Sequence, residues 1–149
     1  MRYYLDCEFD SHNGPLLSMA LVDEVGQGIY LCVPDEPLTL SPWVAENVWP
    51  LVHARIPIGR TVAFLPIWGE LLRRFLAADY EPVVIADSVV DIARFCQTIS
   101  TGPTGEWESV DGSIRFEVHD VDAYPTDVPG AVQHNAWWDA MALRHKLAA

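Results

Sequence analysis

Basic residues are scarce. Nine Lys and Arg stand against 21 Asp and Glu, a formal net charge of −12, and the densest basic spot is the pair Arg73-Arg74. Proteins that grip long nucleic acid by counterion release carry a Lys/Arg stripe, so this balance excludes that mode of binding and leaves any polyanionic substrate to be held locally, through metal. Cysteine is also sparse. Cys7, Cys32 and Cys96 form an odd set without a C-x-x-C pair, which excludes a disulfide framework and reads as buried free thiols. The five histidines, His12, His53, His119, His134 and His145, show no zinc-ligand spacing with them, excluding a structural zinc site. No apolar run approaches the length of about 18 residues that a spanning helix needs, and Met1–Asp6 lacks the cationic and apolar segments of a signal peptide. A cytoplasmic protein without a membrane partner is expected. The 149 residues are half apolar and one-fifth charged, a globular composition, and the length suits one domain over residues 1–149.

The order of elements predicts an α/β protein. Residues 2–9 are rich in strand formers, and period two sends Tyr3, Leu5, Cys7 and Phe9 to one face and Tyr4, Asp6 and Glu8 to the other. Strands over 16–22 and 28–33 follow across turn-forming segments, giving three antiparallel strands. Ser41-Pro42 opens a helix predicted through about Val52, with Trp43, Val44, Val48 and Leu51 on its apolar face. A second helix is predicted over roughly 62–78, regular from Pro66, burying Ile67, Leu71, Leu72, Phe75 and Leu76. Val83–Ala86 is an apolar strand of the doubly buried kind, handing over to a helix through Ile99. A strand over 113–118, a proline-containing connection and a closing helix over 135–147 complete a mixed sheet flanked by helices, antiparallel in its first three strands and then parallel.

Three acidic elements carry the candidate chemistry. Asp6 and Glu8 share a strand face with Cα atoms about 6.6 Å apart, close enough to converge on a pair of metal ions. Asp87 and Asp91 lie where a strand gives way to a helix, at the carboxyl end where α/β proteins build sites. On a continuous helix His134 and Asp139 would point about 140° apart. Both reach one site if His134 lies in the loop before the helix, with Asn135 as cap and Asp139 on the inner face. Each element also has a purely structural reading: a solvated strand face, a Ser88-x-x-Asp91 capping pair with Asp87 as a cap, and a capping histidine.

Taken together, the pattern resembles the DEDDh exonucleases of the ribonuclease H-like superfamily. Asp6-Cys7-Glu8 matches the first motif of that family, Asp87-x-x-x-Asp91 the second and His134-x-x-x-x-Asp139 the third. The opening Met-Arg-Tyr-Tyr-Leu-Asp-Cys-Glu-Phe and Trp43-Val44 are similar, more narrowly, to the small bacterial and phage 3'-to-5' exoribonuclease-like domains. The resemblance implies that Asp6, Glu8, Asp91 and Asp139 hold two Mg2+ or Mn2+ ions and that His134 is the general base. The second motif usually carries asparagine where this chain has Asp87, which adds a fifth acid to the candidate set. The function so implied is release of nucleoside 5'-monophosphates from a 3' end, of RNA rather than DNA. A DNA exonuclease of the same family and a non-catalytic nucleic-acid- or protein-binding adaptor are the alternatives. Physics favours metal: four clustered carboxylates repel one another, and two divalent ions cancel their charge. Phe9 and Trp138, neighbours of Glu8 and Asp139, are candidates to stack on a terminal base, with core packing as the competing reading. Six tryptophans also leave a homodimer open.

Overall fold

The computed structural model of the protein describes residues 1–148. Alternating β-formers at the start of the chain build β1 (Arg2–Phe9), which pairs antiparallel with β2 (Leu16–Asp23), itself antiparallel to β3 (Gly28–Cys32). After two short helices, α1 (Pro42–Asn47) and α2 (Trp49–Val52), the chain returns as β4 (Thr61–Val62), parallel to β3. Helix α3 (Leu65–Leu76) leads to β5 (Val83–Ala86), and α4 (Val89–Ile99) leads to β6 (Arg115–Val118). A 3-10 turn at Pro125–Asp127 precedes the closing helix α5 (Ala136–Ala148). The strands form one mixed sheet in the order β4-β3-β2-β1-β5-β6, with β5 parallel to both β1 and β6.

Period two along β1 decides what covers each face. Tyr3 meets Phe75 of α3 edge to face at 5.7 Å, and Leu5, Cys7 and Phe95 of α4 are buried in the same core. On the opposite face α5 packs against β1 and β2, and its Leu143 joins Tyr4, Val83 and Ile85 in a smaller apolar cluster. All four residues of β5 are buried, as a strand covered on both faces requires. Among the described residues no helix is long and apolar enough to cross a membrane.

Two predicted helices differ. The one expected through Val52 is interrupted at Val48, because Pro50 has no N–H for the carbonyl one turn earlier and its ring collides with it. Its apolar face comprises Val44, Val48 and Val52, while Trp43 is 56% exposed. The helix expected over 62–78 begins only at Leu65, and Thr61–Val62 are drawn out into the sheet instead. Its buried stripe is Trp68, Gly69, Leu72 and Leu76, with Ile67 turned to solvent. Trp68 takes the inner position because its indole N–H finds the Ala63 carbonyl at 2.9 Å. A Cβ on Gly69 would lie 2.2 Å from the Thr101 carbonyl oxygen, so only glycine allows α3 this close to the end of α4.

Candidate metal centre

Asp6 and Glu8 project from β1 on the face that α5 covers. Their partners on β2 are Ala20 and Ser18, small residues that leave room beside both carboxylates. Just beyond, the register slips: Glu8 faces Ser18 but Phe9 faces Leu16, so Leu17 is an extra residue and the strand bends where its last acid points.

Because β1 and β5 are parallel, their carboxyl ends lie at the same edge of the sheet. Asp87 follows β5 directly. Ser88 takes the capping role at α4, its Oγ accepting the Val90 N–H at 3.1 Å, and this leaves Asp87 and Asp91 for another use. The third element is set by a buried network. Asn135, fully buried, donates from Nδ2 to the Leu51 carbonyl at 2.7 Å and to the Tyr30 hydroxyl at 3.3 Å, while its Oδ1 accepts the Trp138 N–H at 3.4 Å. Tyr30 in turn donates to the Val52 carbonyl at 2.6 Å. This anchoring holds His134 at φ 62°, in the left-handed region, a strain of about 1–3 kcal/mol for a residue with a Cβ. His134 thus lies in the loop and Asp139 on the first turns of α5, as the spacing of the motif requires.

The five acids converge. Carboxylate oxygens of Asp6, Asp87 and Asp91 lie within 4.8 Å of one another, and so do those of Asp6, Glu8 and Asp139. Asp6 belongs to both triads. The His134 ring is not a member of either; it packs edge-on against Trp43, with centroids 5.2 Å apart, while its backbone N–H and that of Asn135 are directed at the Asp139 carboxylate.

Electrostatics show what the fold tolerates here. Burial pushes Asp6 well above the usual carboxylate range, and the charges of Asp91, Glu8, Asp139 and Asp87 push it further. Burial and Asp139 raise Glu8 to about 8. Burial and Asp87 raise Asp91 to about 7, against the opposing Cys7 N–H and Arg94. Burial raises Asp139 to about 6, although the hydrogen bond with Glu8 and the two loop amides hold it down. Asp87 is raised as well, again mainly by burial. Among the described residues none of these acids has a Lys, Arg or His partner in a salt bridge. Arg94, the nearby cation, gives hydrogen bonds to the Ser11 and His12 carbonyls and lies 4.8 Å over the Phe9 ring.

This donor set fits hard divalent cations. Every ligand atom is a carboxylate oxygen, the two triads share one residue, and the repulsion that drives protons onto the acids is what a cation relieves. The pattern of the chain predicts Asp6, Glu8, Asp91 and Asp139 as the metal-binding set; the geometry adds Asp87 on equal terms with Asp91.

The aromatic candidates divide differently. Trp138 is 8% exposed and lies in the core, where its ring offers no open face, and Phe9 is partly covered by Arg94. Asn135 caps α5 as its place in the sequence predicts, but its ties to Tyr30 and Leu51, the surface position of Trp43 beside His134, and Asp10, which accepts from the Ser41 N–H at 2.8 Å and the Ser41 hydroxyl at 2.6 Å, went unread. Asp10 stands two residues after Glu8 and Asn135 directly after His134, the one signal that could have marked them.

Models of known protein families include none that matches this chain, and no curated protein matches it.

Proposed function

We propose that the protein is a metal-dependent 3'-to-5' exonuclease with a ribonuclease H-like fold, acting on RNA. Two carboxylate triads joined at Asp6, assembled from β1, the β5–α4 junction and α5, carry the reading. The preference for RNA rests on the likeness of Met1–Phe9 and Trp43-Val44 to the small exoribonuclease-like domains.

Asp6, Glu8, Asp87, Asp91 and Asp139 would hold two Mg2+ or Mn2+ ions, with Asp6 able to serve both. When bound, such ions lower the pKa of water and stabilise negative charge on the attacking and leaving oxygens of an in-line displacement at phosphorus. His134 accepts a proton from the attacking water. The water oxygen bonds to phosphorus, the bond to the 3'-oxygen of the penultimate nucleotide breaks, and that oxygen takes up a proton from solvent. The product is a nucleoside 5'-monophosphate. Trp43 packed against the His134 ring, and Asn135 anchored next in the chain, restrict where that imidazole can point.

A 3'-labelled oligoribonucleotide with Mn2+ tests this directly. Released label should run as nucleoside 5'-monophosphate, EDTA should stop its release, and Asp6→Asn and His134→Ala should each suppress it. Degradation that survives EDTA and both substitutions overturns the assignment, and a deoxy-oligomer of the same sequence separates RNA from DNA specificity.

A further inference from the structure

Among the described buried side chains three polar atoms have no hydrogen-bond partner: Ser18 Oγ, Trp137 Nε1 and an Asp79 oxygen, and the last faces the Met1 ammonium at 2.8 Å. Ser18 differs from the other two in where the sheet puts it. It is fully buried in β2, and the register sets it directly across from Glu8 of β1. Opposed side chains of an antiparallel pair leave the sheet on one face with Cβ atoms about 4.5–5.5 Å apart, so the orphaned hydroxyl and the Glu8 carboxyl share one side of the sheet. This is the last regular pair before the bulge at Phe9. The competing acceptor is the Tyr30 hydroxyl, diagonally across on β3, which already gives its proton to the Val52 carbonyl and receives one from Asn135.

A buried hydroxyl without a partner is destabilising, and the neighbouring pair avoids the cost: Asp6 faces Ala20, which has no polar atom to orphan. A carboxylate that ligates a metal is deprotonated and accepts hydrogen bonds only. A donor outside the ligand set then fixes which of its oxygens is turned to the ion. Glu8 has no Lys, Arg or His partner in a salt bridge among the described residues to supply that donor, whereas Ser18 stands opposite it with a proton to give. Resting on the metal-dependent reading above, we propose that Ser18 is a positioning residue of the metal centre, its hydroxyl donating to the Glu8 carboxylate when that carboxylate serves as a ligand.

The test measures Mn2+ binding, by titration calorimetry and by the electron paramagnetic resonance of the free ion, to wild type, Ser18→Ala, Glu8→Gln and the double variant. Ser18→Ala should weaken Mn2+ binding by about tenfold, and by less than about twofold once residue 8 is glutamine, because the hydroxyl acts through that carboxylate. Melting without metal should place Ser18→Ala at or above wild type, since alanine removes only a group that has no partner. A purely structural serine would give the opposite pattern, a lower metal-free melting temperature with Mn2+ affinity unmoved. Unchanged affinity, an equal loss in the Glu8→Gln background, or a metal-free melting temperature below wild type overturns the role of Ser18 and leaves the metal centre standing. Wild-type protein that binds no Mn2+ overturns the metal centre and this positioning role with it.

Discussion

The two ends of β1 handle acidic residues in opposite ways. At its start two acids have cations: Asp79 pairs with the Met1 ammonium at 2.8 Å, and Glu117 of β6 pairs with Arg2 at 2.6 Å and with His119 at 3.2 Å. Hydrogen bonds from those partners hold Asp79 and Glu117 below their ordinary carboxylate values. At its other end Asp6 and Glu8 meet Asp87, Asp91 and Asp139 without a paired cation, and all five are raised. One strand thus carries a balanced structural end and an end left electrostatically incomplete. A fold selected for stability alone would gain by neutralising the second cluster, so its cost points to use.

The largest effect that bears on this contrast is catalytic. Asp6→Asn removes the carboxylate common to both triads and should reduce the proposed nuclease turnover by about 10³-fold or more, with His134→Ala losing about 10²- to 10⁴-fold, as general-base removal does. The same Asp6→Asn should raise the metal-free melting temperature by about 2–6 °C, because it deletes a charge that its neighbours repel. Calorimetry that finds Asp6→Asn less stable than wild type without metal would show that the cluster is not under repulsion.

The pH dependence follows from the same shifts. Between the unfolded carboxylate values, near 4, and the raised values of about 6 to 8, the folded protein binds more protons than the unfolded chain. Stability in EDTA should therefore fall as pH rises through that window, the reverse of the behaviour of paired acids. Mn2+ or Mg2+ at about 100 times its dissociation constant should add roughly 2.7 kcal/mol, or about 5–10 °C. At one fixed metal concentration the gain should be larger at pH 8 than at pH 5, where protons compete with metal and raise its dissociation constant. Melting curves with equal gains at both pH values would count against carboxylate ligation.

Binding should depend weakly on salt. A plot of log affinity against log salt for a single-stranded oligomer with metal held constant should show the slope of about two phosphate contacts or fewer, and a slope matching six would contradict a substrate held locally through metal. The smallest effect belongs to the balanced end. Arg2→Ala removes a half-exposed ion pair, which contributes at most about 1 kcal/mol, so the melting temperature should move by no more than about 2–4 °C and nuclease activity should stay at the wild-type level.

Much of the architecture was legible in the chain because it rests on local periodicity. Period two along residues 2–9 put Asp6 and Glu8 on one face, and the apolar run Val83–Ala86 located the strand whose end carries Asp87 and Asp91. Proline at 66 marked the start of α3, whereas Pro50, read as part of a continuous helix, in fact divides it. Rotation about a helix axis was less legible: Trp43 and Ile67 were assigned inward, and both face solvent. A stripe of apolar residues wider than the available core leaves several rotations compatible with sequence, and packing selects among them.

What the order of residues determined by itself is therefore the inventory: five acids and a histidine in three segments, each at a strand end, a junction or a helix start. That Asp6 serves two triads, that Asp87 stands level with Asp91, and that Trp43 is open while Trp138 is buried were decided only by tertiary structure. The physical reason is that a strand or a cap is specified within a few residues. The meeting of Asp6 with Asp139 instead depends on parallel pairing of β1 with β5, on the seat of α5 across β1 and β2, and on Asn135 tying that helix to α2.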